Sequence, residues 1–205
     1  NEGWADGFHY GIRYWEIWNE ADDCLDPNES SMWAAPMEEY FRLYDVTAKH
    51  LKACFGDSIK VGGYGSCGFG GIFYHPEKYG IVYEKKEIGS SYEKEINRVY
   101  FLFDFLKYIK EHNSPIDFFS WHVYSTDPRM ISKKSERIRA IMQKHGYGDA
   151  ESILNEWNYV SDWTKPLHYL SVIKGLKGAS FSCAVMCEMQ TKSDVDSLMY
   201  YDARV

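Results

Sequence analysis

The chain has 205 residues, 45% of them hydrophobic and 17% aromatic, which suits one sizeable core better than two domains. A formal net charge of −7 argues against a nucleic-acid or anionic-membrane surface, and no run approaches the ~18 apolar residues of a transmembrane helix. The five cysteines are odd in number and include no CxxC pair, so neither a disulfide framework nor a zinc site is indicated. Asn1 opens no signal peptide, and the compartment stays open between cytoplasmic and secreted or periplasmic.

Residues 1–12 read as a loop rich in glycine and aromatics, leading into a strand over Ile12–Asn19 that is apolar enough to be buried on both faces. Asp23–Pro36 is expected as a polar rim loop, and Pro36 suits the first turn of a helix. Met37, Phe41, Tyr44, Ala48, Leu51 and Phe55 recur at steps of three or four along one helical face, with Gly56 placed to end it. A strand follows over Ile59–Tyr64. Gly63, Gly65 and Gly68 then match GxGxxG, but a dinucleotide site needs a helix to open at once, and Phe69–Gly71 and His75–Pro76 continue as loop. These glycines are read as letting a rim loop pass close to a substrate.

Tyr79–Glu95 is charged and poorly periodic, a solvated loop or lid. Ile96, Tyr100, Phe103, Leu106 and Ile109 then mark a second amphipathic helix. The strand Ile116–Tyr124 places Ser120, His122 and Tyr124 on one face, with Trp121 and Val123 on the other. Ser132–Gly146 reads as a helix and Ile153–Trp157 as a strand. Pro166–Met189 reads as one long helix, carrying Cys183 and Cys187 as small packing residues, and Leu198–Asp202 is a last strand. Strand and helix alternate throughout, which predicts an α/β fold with a parallel sheet.

Two of these strands end alike. Trp15-Glu16-Ile17-Trp18-Asn19-Glu20-Ala21-Asp22 and Asn155-Glu156-Trp157-Asn158 each set a glutamate at a strand's C-terminal end, among Trp and Asn. Two such glutamates are what a glycosidase working with two carboxylates requires. The first segment resembles the acid/base motif at the end of the fourth barrel strand in clan A glycoside hydrolases. The second resembles that clan's nucleophile motif at the end of the seventh strand. Phe118-Phe119-Ser120-Trp121-His122-Val123-Tyr124-Ser125 is similar to the clan's sixth strand, with its active-site His and Tyr. Within the clan the likeness is greatest to family 39, the β-xylosidase and α-iduronidase group, and it covers nearly the whole chain. The sequence departs from the pattern at Ala21, where the clan usually has Pro, and lacks a clear counterpart of the Trp often found at the eighth strand's end.

The resemblance implies a (β/α)8 TIM barrel, with residues 1–205 forming the C-terminal part of its catalytic domain. A complete barrel needs roughly 250 residues. The five strands are therefore expected to be numbers four to eight of an incomplete barrel. Strands one to three would come from the rest of a parent chain or from self-association. The resemblance further implies a retaining glycoside hydrolase, β-xylosidase-like, acting on plant-type oligo- or polysaccharides, with Glu20 as acid/base and Glu156 as nucleophile.

Asn19 is then expected to donate to the sugar 2-hydroxyl, and His122 and Tyr124 to bind substrate beside the carboxylates. Trp157 and Trp121 are candidate walls for the sugar, although Trp121 could equally face the surrounding helices. Glu16 shares the parity of Glu20 and is expected deeper, paired with a base such as Arg13. No metal or cofactor is called for. Two other readings compete: a carbohydrate-binding barrel without catalysis, and an inactive fragment with open sheet edges.

Overall fold

The structure, a computed structural model describing residues 10–23, 28–68 and 91–202, turns these periodicities into alternating strands and helices. Strands β1 (Tyr14–Glu16), β2 (Lys60–Ser66), β3 (Phe118–Ser125), β4 (Glu151–Tyr159) and β5 (Ser197–Tyr200) pair in that order, every neighbour parallel. Between them run helices α1 (Met37–Phe55), α2 (Ser91–Glu111), α3 (Pro128–Lys144), α4 (Pro166–Ile173) and α5 (Leu176–Lys192). Parallel strands joined by helical crossovers form a half-barrel, the α/β architecture of an incomplete TIM barrel. β1 and β5 are the open edges, and all three residues of β1 are exposed.

The helix-facing side of the sheet is the core. α1 buries Tyr40, Phe41, Tyr44 and Ala48 against Phe101 and Phe105 of α2 and against Tyr64 and Phe119 of the sheet. The rings meet edge-on, Tyr44 with Phe105 at 4.8 Å and Tyr64 with Phe101 at 4.9 Å between centroids. Burying each such ring stabilises the fold by about 1.5–3 kcal/mol. The Tyr40 and Tyr44 hydroxyls donate to the carbonyls of Ile17 (2.9 Å) and Pro115 (3.0 Å), so both rings are buried without stranding their polar ends. Much of the aromatic content therefore packs the core.

Several boundaries differ from expectation, each for a local reason. The strand expected over Ile12–Asn19 pairs only as far as Glu16, because Trp18 and Glu20 take positive φ angles of 70° and 50°. α2 begins at Ser91, so the last five residues of the expected Tyr79–Glu95 loop are helical, while residues 79–90 lie outside the described ones. α3 starts at Pro128 rather than Ser132, since Asp127 caps it by accepting the Arg129 N–H (3.0 Å).

The long helix over Pro166–Met189 is two, α4 and α5, bent by 70° at Lys174–Gly175. Gly178 permits the corner: a Cβ there would lie 2.5 Å from the Ile173 carbonyl oxygen. Cys183 and Cys187 are exposed, because α5 buries the stripe Phe181, Val185 and Met189, and the cysteines fall off it. Among the described residues no single helix is long and apolar enough to cross a membrane. No helix opens among the described residues of the GxGxxG segment, whose first two glycines lie within β2.

Candidate active site

The chain leaves β1 by a sharp turn. The Ile17 N–H still donates to the Gly62 carbonyl (2.9 Å), and the Glu20 N–H then donates to the carbonyls of Tyr64 (3.0 Å) and Gly65 (3.1 Å). Holding Trp18 and Glu20 in the left-handed region costs on the order of 1 kcal/mol each. Asp22 helps hold it: its buried carboxylate accepts the Ser66 hydroxyl (2.6 Å) and the Cys67 N–H (2.9 Å), tying this turn to the end of β2.

β3 alternates strictly. Phe119, Trp121 and Val123 go to the helix layer, and His122 and Tyr124 go to the inner side. β4 does not alternate strictly. Its pairing with β3 steps from Trp121–Leu154 to His122–Glu156, and its pairing with β5 steps from Leu154–Leu198 to Trp157–Tyr200. This is a β-bulge centred on Asn155 and Glu156. It presents both residues to the inner side, where their side chains meet groups from β1 and β3.

On the inner side the groups converge. His122 is fully buried, with its Nδ1 2.7 Å from Glu20 Oε1 and 3.5 Å from Glu156 Oε2. The Tyr124 hydroxyl donates to Glu156 Oε2 (2.7 Å). One oxygen from each glutamate and one ring nitrogen of His122 all lie within 4.8 Å of one another. An ionised carboxylate can only accept, so a charged Glu20 places the His122 proton on Nδ1. Burial, reinforced by the hydrogen bond to Glu156 and its charge, pushes the Tyr124 phenol far above its ordinary range, so it remains a donor at any working pH. By distance alone the three groups could hold a cation, but Glu20 already accepts from His122 and Glu156 from Tyr124.

Gly65 lies against this cluster. Its φ is 59°, and a Cβ there would sit 2.8 Å from Asn19 Oδ1, 3.1 Å from His122 Nε2 and 3.2 Å from Glu16 Oε1. The close approach that this glycine permits is thus to the site's own side chains. The structure brings Asn19, Glu20, His122, Tyr124 and Glu156 together.

Trp121 and Trp157 do not join them. Trp121 is 0% exposed and its indole N–H donates to Ser152 Oγ (3.0 Å). Trp157 is 2% exposed and packs against Tyr200 and Phe181. Both belong to the core, and for Trp157 the bulge is the reason, since it sets Asn155 and Glu156 inward in succession and so turns the next residue outward. Glu16 is exposed rather than buried, and its partner is not Arg13. The Asn155 amide donates to both its oxygens (3.0 and 2.9 Å). Asn155 and Asp22 escaped the sequence reading. Asp22 had a signal, closing the motif that holds Glu20; the bulge at Asn155 leaves none in composition or periodicity.

The family described as Glycosyl hydrolases family 39 matches residues 9–156, a span holding Glu20, His122, Tyr124 and Glu156. A β-xylosidase from Geobacillus stearothermophilus is 32% identical over 183 residues, covering 78% of this chain and 29% of that protein. A solved glucosidase from Croceicoccus marinus matches with a TM-score of 0.66 at 24% identity, covering 97% of this chain and 34% of that one. A family 39 β-xylosidase from Caulobacter crescentus matches with a TM-score of 0.53 at 22% identity, covering 92% of this chain and 32% of that one. At these identities the two structures bear on the fold alone. The chain spans about a third of the length of each of these three relatives. With the family match extending over well more than half of its residues, the chain belongs to glycosyl hydrolase family 39.

Proposed function

We propose that the protein is a retaining β-glycoside hydrolase, β-xylosidase-like, in which Glu20 is the acid/base and Glu156 the nucleophile. The observation that carries this reading is the closeness of the two carboxylates, one oxygen of each within 4.8 Å of the other. Retaining enzymes hold their carboxyl groups about 5–5.5 Å apart, whereas inverting enzymes leave roughly 6.5–9.5 Å for a water.

In the first step Glu156 attacks the anomeric carbon, and Glu20 gives its proton to the departing glycosidic oxygen as that bond breaks. In the second, Glu20 takes a proton from water, whose oxygen displaces Glu156 and releases the sugar. Tyr124, donating to Glu156, supports the ionised nucleophile, and the His122 Nδ1–H supports Glu20 once it has lost its proton. Asn19, at the same inner face, suits the sugar 2-hydroxyl. No step calls for a metal or a cofactor.

In this reading β1 to β5 are barrel strands four to eight, and residues 1–205 are the C-terminal part of the catalytic barrel. The open edges of β1 and β5 then receive strands one to three, from a parent chain or by self-association. The substrate expected first is a β-xyloside of plant-type oligo- or polysaccharide, in keeping with the similarity to a β-xylosidase. Aryl β-xylosides with good and poor leaving groups test the roles. Glu156→Gln should abolish turnover of both. Glu20→Gln should spare activated leaving groups far more than poor ones, because these need little protonation. Equal losses for both classes would sink the assignment.

A further inference from the structure

Beside the carboxylate site lies a cavity that Tyr124 helps to line. The Trp163 indole is 60% exposed, with its ring edge-on to Tyr124 at 4.9 Å and to Tyr169 at 5.7 Å between centroids. Its loop is braced from within: Asp162 accepts the Thr164 N–H (2.9 Å) and hydroxyl (2.7 Å) and pairs with Lys165 (3.2 Å). Asn158, Trp163, Tyr169, Leu170, Tyr201 and Asp202 are among the residues that line its volume of about 180 Å³. Drug-sized sites hold roughly 300–1,000 Å³, so this cavity has room for a single ring. Asp202 is the one charged group among the described residues lining it, which favours a neutral sugar over a uronate.

We propose that this cavity binds one neutral pyranose ring of a β-linked oligosaccharide, stacked on the Trp163 face, on the non-reducing side of the ring that is cleaved. An aromatic plane with polar groups at its edge matches a sugar, whose C–H face is apolar and whose rim carries hydroxyls. The side rests on the roles proposed above. Glu20 protonates the leaving group and so marks the reducing side, whereas the cavity is lined by Tyr124, the partner of Glu156, and by no residue of β1 or its turn.

The test is calorimetric titration of the protein carrying Glu156→Gln, which prevents hydrolysis. The probes are the 4-nitrophenyl β-glycosides of xylose and xylobiose, and of glucose and cellobiose. The disaccharide probe of at least one pair should bind about tenfold tighter than its monosaccharide partner. Adding Trp163→Ala should erase that gain, and Trp163→Phe, which keeps an aromatic face and guards against misfolding, should retain most of it. No gain in either pair, or a gain indifferent to Trp163→Ala, would overturn the inference. Hydrolysis by the unsubstituted protein is read separately. Disaccharide binding through Trp163 without cleavage of any probe would sink the catalytic reading and leave the sugar-binding cavity standing, stripped of its assignment to the non-reducing side. Cleavage with no dependence on Trp163 would do the reverse.

Discussion

On the outer face of β3 and β4, Phe119, Trp121, Val123, Leu154 and Trp157 are all at most 2% exposed and meet helices. On the inner face of the same two strands stand His122, Tyr124, Asn155 and Glu156, each hydrogen-bonded to a side chain from another strand or, for His122, from the turn after β1. One face is specified by volume and the other by chemistry, although their residues alternate along the same backbone. Outer residues should therefore tolerate changes in chemistry better than changes in size, and inner residues the reverse.

The largest effect expected from this contrast is on the outer face. Trp121→Ala removes a fully buried indole and should cost about 3–5 kcal/mol in denaturant unfolding. A near-native midpoint would mean that the helix layer repacks freely and that volume does not specify this face. On the inner face, Tyr124→Phe keeps the volume and deletes one donor to Glu156. It should cost roughly a hundredfold in turnover, the scale of losing one well-placed donor to a reacting charge, with little change in thermal midpoint. A large drop in midpoint with turnover preserved would reverse the contrast.

Gly65→Ala probes the seam between the faces. The positive φ costs about 1 kcal/mol, and the added methyl forces Asn19, His122 or Glu16 to move. Turnover should fall about tenfold beyond what the lost stability explains; an active variant would show that these side chains can shift without harm.

The smallest effect is at acid pH. Hydrogen bonds from Thr164, then the Lys165 charge, hold Asp162 down to about 2. That lies below the ~3.9 of an unfolded aspartate, so its support of the Trp163 loop is complete above about pH 4 and fades as pH falls through 2. Trp163 fluorescence should follow that fading and be flat over the same range in Asp162→Asn. An identical acid transition in both would remove Asp162 as the brace.

Legibility in the sequence tracked how far each residue's place depends on its neighbours in the chain. β3 was readable because its alternation is unbroken, so His122 and Tyr124 fell on the same face by counting. The motifs pointed to Glu20 and Glu156 at strand ends, whereas Glu20 stands in the turn past β1 and Glu156 at the bulge within β4. Counting failed at β4, where the bulge turns Asn155 and Glu156 to one side and Trp157 to the other. It failed for Glu16 as well, whose partner Asn155 lies 139 positions away. The break between α4 and α5 follows from the contact of Gly178 with Ile173, which helical periodicity across Pro166–Met189 does not register. The exposure of Trp163 was equally hidden, since an indole in a loop can as well be buried as displayed.

The most direct test of the paired-glutamate account is the stereochemistry of the first-formed product. Proton NMR of an aryl β-xyloside during hydrolysis should show β-xylose appearing first and the α-anomer growing only by mutarotation. This is the outcome of two displacements through a Glu156 adduct. α-Xylose appearing first would mean a single displacement by water, and would contradict both the retaining mechanism and the role of Glu156 as nucleophile.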